Sequence, residues 1–167
     1  MSGNFFRILL QSLLLITIFI SCKTGQPMHS EKNTVPYALR LRPGQDLRKE
    51  IENFVKENKI QAGWIATCAG SLTHYNIRFA NRSEGNDGSG HFEIVSLTGT
   101  VSVNGSHMHI SISDSTGHTI GGHLLEGCIV YTTAEIIIES SPDLIFKREK
   151  DGTTEWEELQ IEKIKKQ

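Results

Sequence analysis

The chain has little of what marks several large functional classes. It holds three cysteines in 167 residues, and no two of them form a Cys-x-x-Cys pair, so the common cysteine-based redox and zinc motifs are missing. It has no Gly-x-Ser-x-Gly nucleophile turn and no glycine-rich phosphate loop. No internal repeat or low-complexity run appears. Basic charge is not clustered: 17 Lys and Arg stand against 19 Asp and Glu, for a formal net charge of -2. The densest cations, Lys163, Lys165 and Lys166, are interspersed with Glu162 near the end of the chain, which reads as a solvated tail rather than a nucleic-acid stripe. Prolines are also scarce, four against 15 glycines. With Val, Ile and Thr runs in the second half, this favours a sheet-rich protein over a helical bundle.

The length suits one globular domain with its own core and is short for two. The sequence divides into residues 1–21, a polar tether over 22–35, a domain over 36–150 and a final strand and charged tail over 151–167. The first part differs sharply from the rest. One cation, Arg7, precedes an almost wholly apolar run from Ile8 to Ile20, and Ser21-Cys22 follows, in the manner of a secretory signal. Cys22, backed by the polar Lys23-Thr24-Gly25-Gln26, resembles a bacterial lipoprotein cleavage site whose cysteine is lipidated, although Phe19 replaces the usual leucine three residues earlier. The apolar run is shorter than the ~20 residues that span a bilayer. The expectation is an exported protein of the cell envelope, membrane-anchored through Cys22, with release as a secreted protein the alternative. Cys68 and Cys128 sit in apolar strand-like surroundings. They can pair in an oxidising compartment or stay as buried thiols, and the surroundings favour the second.

Residues 37–42 alternate as a half-exposed strand and end at Pro43-Gly44. From Asp46, a fitting N-cap, to Asn58, the apolar residues Leu47, Ile51, Phe54 and Val55 fall on one helical face. Residues 62–69 and 72–79 are strand-like and broken at Gly70-Ser71, and 81–90 reads as a loop. Residues 92–103 and 107–113 bracket Asn104-Gly105, the strongest hairpin signal in the chain. Residues 123–125 and 129–139 are further strands, the latter apolar enough to be central. Residues 145–148 and 156–161, joined through Asp151-Gly152, form a final hairpin.

His107-Met108-His109 is the sharpest chemical signal. In a strand the two imidazoles project from one face and can share a metal. His123, carried on the next strand after a turn at residues 114–117, can complete a three-histidine set of the kind that holds catalytic zinc with one position open to water. The competing reading is that a chain with seven histidines acquires an H-x-H by chance.

Several stretches in consistent order resemble the PPC domain, the plants-and-prokaryotes domain of plant AT-hook nuclear proteins. They are Leu41-Arg42-Pro43-Gly44 with Asp46-Leu47, Gly70-Ser71-Leu72, the run from Gly90 to Thr100, His107-Met108-His109, Gly121-Gly122-His123-Leu124 and Thr132-Thr133-Ala134-Glu135. The resemblance implies an α+β domain, a mostly antiparallel sheet flanked by helices, assembled as a homotrimer and similar in fold to acetolactate decarboxylase. It also implies zinc on the histidines matching His107, His109 and His123. The plant partner-recruitment motif is matched at Gly90 to Val95, with His91 in place of arginine and Val95 in place of leucine. The arginine-glycine-arginine-proline arm that grips the minor groove is missing, so DNA binding does not transfer.

Two functions follow as expectations. One is an exported, lipid-anchored, homotrimeric zinc-binding module without an AT-hook. The other is a zinc-dependent lyase or hydrolase acting on a small carboxylate, with Glu126 as the best-placed general base and Arg78 as a carboxylate partner. A DNA-binding regulator of the plant type is disfavoured. Glu93 and Glu135 read as solvent-facing strand residues, with support of a metal or acid/base work beside it as the alternative. His74, His91 and His118 read as surface or loop histidines, with His91 the nearest of them to a site.

Overall fold

A computed structural model describes residues 29–30 and 33–165. The leader and Cys22, where export and lipidation were expected, lie outside the described residues. In chain order the elements are β1 (Val35–Leu41), α1 (Leu47–Glu57), β2 (Gly63–Arg78), β3 (Asn86–Val101), β4 (His107–Ser113), β5 (Thr119–Leu124), β6 (Ile129–Ser140), β7 (Leu144–Glu149) and β8 (Glu158–Lys163). The fold is mostly antiparallel sheet. The expectation of several flanking helices reduces, among the described residues, to α1 alone.

Six strands run in the order β1-β6-β2-β3-β4-β5, and β2 also pairs with β5. One edge of β2 lies along β6 from Gly63 to His74, then passes to β5, where Ile77 and Arg78 oppose Leu124 and His123. Its other edge lies along β3. The four strands β2, β3, β4 and β5 therefore close on themselves in a ring, with β6 and β1 extending from it. Inward-facing Leu72, Ile77, Ile110, Ile112, Leu124, Ile136 and Ile138 are essentially solvent-free. Helix α1 lays Leu47, Ile51 and Val55 on this core. Asp46 caps it as its position predicts. One carboxylate oxygen accepts from the Lys49 amide at 3.1 Å, and the other accepts from the Gly127 amide at 2.6 Å, which ties the helix start to the approach to β6.

Three departures from the sequence reading have physical causes. Gly70-Ser71 does not end a strand. Gly70 has φ +157° and its missing Cβ would stand 2.2 Å from the Thr133 carbonyl oxygen, so the glycine lets β2 bulge against β6 without losing the ladder. The polar stretch expected as a loop over 81–90 becomes strand from Asn86, because the β2–β3 ribbon continues with Tyr75 opposite Gly88 and Ile77 opposite Asn86. In the last hairpin the second strand begins at Glu158 rather than at Trp156. The Thr154 hydroxyl accepts from the Trp156 amide at 3.1 Å and donates to the Glu158 carboxylate at 2.6 Å, holding the tryptophan in the connecting loop, 63% exposed.

The β7–β8 hairpin forms a sheet of its own and docks through Ala62, Leu144 and Phe146. The Phe146 amide donates to the Gln61 carbonyl at 2.9 Å, while its carbonyl accepts from the buried Ser102 hydroxyl at 2.9 Å and the Asn104 amide group at 3.0 Å. The hairpin is thereby pinned to the β3–β4 turn, directly before the H-x-H.

Candidate metal centre

The Asn104-Gly105 turn returns the chain as β4, whose alternation buries Met108, Ile110 and Ile112 and leaves His107 and His109 on the outer face. The following turn is held by the Asp114 carboxylate, which accepts from the Thr116 amide at 2.8 Å and the His118 amide at 3.1 Å. β5 then places His123 directly across the ladder from His109. The three residues expected to form a site do come together, with one ring nitrogen from each within 4.8 Å of the others. Ring centroids are separated by 4.9, 5.0 and 5.5 Å. The Nε2 atoms of His107 and His109 are 3.1 Å apart. Two nitrogens bound tetrahedrally to one zinc at ~2.0 to 2.1 Å would stand ~3.3 Å apart, so this pair needs little adjustment.

Gly121-Gly122 serves the ladders that carry His123. A Cβ on Gly122 would lie 2.5 Å from the Arg78 carbonyl oxygen, and one on Gly121 would lie 2.9 Å from that of Ile110. The glycine pair thus lets β5 press against β2 and β4 at once, and the closure seats His123 beside Arg78.

The electrostatics favour neutral, ligand-ready imidazoles. Desolvation, with the Arg78 charge second, lowers His123 from 6.5 to about 4. Desolvation followed by the Arg148 charge lowers His107 as well. Among the described residues, His123 Nδ1 is the buried side-chain polar atom with no hydrogen-bond partner. Leaving such a nitrogen unsatisfied costs about 1 to 3 kcal/mol. The donor set fits zinc: three imidazoles, no competing thiolate, and an outward-facing side where a further ligand can enter.

The histidines lie in an open cleft of about 1430 Å³. Arg48 of α1, Arg78 at the end of β2, and Arg148 and Trp156 of the hairpin line it. Arg48 is engaged with Glu52 at 3.0 Å and with the Leu124 carbonyl at 3.0 Å. Glu126 does not reach this cleft: its carboxylate pairs with Lys49 at 3.1 Å on the surface, so the structure does not bring it to the histidines as a general base. His91 also stays away, its ring 4.4 Å from that of Tyr131. His74 bonds Ser89 at 2.9 Å, and His118 is exposed in its turn. Glu93 and Glu135 face solvent. Cys68 and Cys128 are free buried thiols. Arg78 was legible as a candidate; Arg148 and Trp156 were not, because only the docking of the hairpin through Phe146 brings them to the site.

A family profile for the Plants and Prokaryotes Conserved (PCC) domain matches residues 28–142. A curated relative, the bifunctional protein GlmU of Synechococcus sp. (strain JA-3-3Ab), is 42% identical over 128 residues, which is 77% of this chain and 21% of the relative. The chain thus spans about a fifth of the length of the curated relatives it matches. Among solved structures, a hypothetical protein from Salmonella cholerae-suis superposes with TM-score 0.78 and 39% identity over 81% of this chain and 99% of that one. A plant- and prokaryote-conserved (PPC) protein from Pyrococcus horikoshii superposes with TM-score 0.59 and 29% identity, covering 75% and 93%. A Staphylococcus aureus protein described as similar to alpha-acetolactate decarboxylase reaches only TM-score 0.36, too distant to support the likeness to that enzyme expected from the sequence.

Proposed function

The chain belongs to the Plants and Prokaryotes Conserved domain family, and from that premise we propose that it is a homotrimeric zinc-binding module, exported and lipid-anchored, whose metal takes a further ligand from the cleft. The observation that carries the metal is the convergence of His107, His109 and His123, each offering one ring nitrogen within 4.8 Å of the others. When bound, zinc supplies a Lewis-acidic position. The chain's own residues hold it, keep the imidazoles neutral and leave its outer side accessible. That a fifth of a much longer bifunctional relative matches this chain supports the reading of the domain as a portable module. For the trimer, the support is the family resemblance together with exposed Val95 and Tyr131 on the sheet. For export, it is the apolar run before Ser21-Cys22.

Elemental analysis tests the metal. Purified protein is expected to carry about one zinc per chain; His109→Ala should lose most of it and His118→Ala should keep it. Full metal in both His109→Ala and His123→Ala refutes the site. Export is tested by lipid labelling in a Gram-negative host, which Cys22→Ala should abolish; soluble protein retaining Met1 refutes the anchor. Lacking a basic stripe, the protein should show no salt-dependent shift of random duplex DNA, and the appearance of one refutes that expectation.

A second reading, a zinc-dependent lyase or hydrolase acting on a small carboxylate, is favoured by the histidines lining an open cleft instead of being sealed in the core. Glu126 is not its base, since it pairs with Lys49 outside the cleft.

A further inference from the structure

Two of the three histidines have an arginine close by. Arg78 is the cross-strand partner of His123. Arg148 donates to the hydroxyl of Thr100, and Thr100 is the cross-strand partner of His107. The two guanidiniums therefore approach the histidines from different elements, β2 and the β7–β8 hairpin. Among the described residues neither is ion-paired with a carboxylate. Arg78 donates to the Arg82 carbonyl at 3.3 Å and lies 5.4 Å from the centre of the Trp156 ring. Arg148 is partly desolvated, its stem lying against Gly105 in the turn before β4. Glu158 is the acid nearest to both His107 and Arg148 in effect, but its carboxylate is held by the Thr154 hydroxyl at 2.6 Å. Partly buried guanidiniums without carboxylate partners, beside a metal-competent cluster in an open cleft, lack only an anion.

We infer that Arg78 and Arg148, with Trp156 as the wall between solvent and Arg78, form the recognition site for a small organic carboxylate delivered to the metal's open side. This rests on the zinc-binding reading above. The β7–β8 hairpin lies past the residues that the family profile matches. It adds Arg148 and, from its connecting loop, Trp156 to the cleft that Arg78 lines from β2. Planar, two-pronged guanidiniums match a carboxylate better than a point charge does, and an aromatic face shields the pair from water without hydrogen-bonding the ligand.

The test uses the full chain, metal-loaded and metal-free, with lactate as probe, lactamide as its neutral counterpart and inorganic phosphate as the competing anion class. Binding is followed by calorimetry and by tryptophan fluorescence, with Trp156→Phe identifying the reporter. Lactate should bind at least about tenfold tighter than lactamide, with Arg78→Met and Arg148→Met each weakening it about tenfold to a hundredfold and Arg42→Met, exposed and outside the cleft lining, leaving it unchanged. Arg78→Lys and Arg148→Lys should recover only part of the affinity, which separates two-pronged recognition from net charge. Thermal midpoints and zinc content of every variant are measured on the same samples. Equal binding of lactate and lactamide, retention of lactate affinity by both methionine variants in folded protein, or tighter arginine-dependent binding of phosphate overturns the inference. The metal reading fails separately: if zinc does not bind but lactate still needs both arginines, this site stands and the metal does not.

Discussion

His123 makes the metal-free protein acid-sensitive in a defined window. The unfolded chain binds the imidazole proton near 6.5 and the folded chain only near 4, so between those values the unfolded state carries more protons and acid favours unfolding. Stability contributed by the neutral ring is present above 6.5 and lost as pH falls toward 4. Taken at full weight, the shift would remove about 2 kcal/mol between pH 7 and pH 5. Because the ring is only half-buried, solvent screening reduces this to about 1 kcal/mol. The perturbation is His123→Gln, which keeps a polar side chain and removes the titration. Urea unfolding of metal-free protein at both pH values gives the comparison, with the slope m checked for constancy. The wild type should lose about 1 kcal/mol more than the variant over that interval. His107, lowered in the same direction, leaves the variant some residual acid loss. Equal losses in the two proteins would refute the argument that burial of His123 beside Arg78 is what keeps the ring neutral.

Three further outcomes are expected. Asp46→Ala removes the cap on Lys49 and the bond from Gly127, and should cost about 2 kcal/mol in urea unfolding, while Asp46→Asn should recover part. Burial raises the Cys68 thiol to about 12 and the Cys128 thiol to about 11, so neither should react with a thiol reagent at pH 8 until the protein unfolds; prompt labelling of either contradicts the burial. Light scattering on protein lacking residues 1–35 should give a trimer mass at micromolar concentration, and a monomer removes the trimer from the proposal.

Much of the site was legible because it depends on period-two geometry. An H-x-H in an apolar-alternating segment must put both rings on the face opposite Met108, Ile110 and Ile112, and an Asn-Gly turn on one side with an Asx-type turn at Asp114 on the other fixes the neighbouring strands. Helix α1 was equally readable from its cap and its apolar stripe. What escaped was non-local. The continuation of β2 through Gly70 depends on how closely β6 approaches, which composition does not report. Polar residues 86–90 were taken into a ribbon by the partner strand against their own propensity. Glu126 looked well placed only by its nearness to His123 in sequence. The turn after β5 carries it to Lys49 instead.

The two consecutive hairpins that carry the histidines also set when, during folding, the proposed centre comes into being. A chain that has formed only the β3–β4 hairpin already presents His107 and His109 together, a two-imidazole site that closes over a short loop. The third nitrogen arrives with β5 in a second short hairpin that sets His123 opposite His109, and the ring closes afterwards, when Ile77 and Arg78 find Leu124 and His123 across a long stretch of intervening chain, a slower search than hairpin formation. The proposed three-point holder is thus complete before the last seam of the ring. In a stopped-flow refolding experiment with zinc present, the metal-binding phase should precede the closure of the sheet, and one shared rate constant would refute that order.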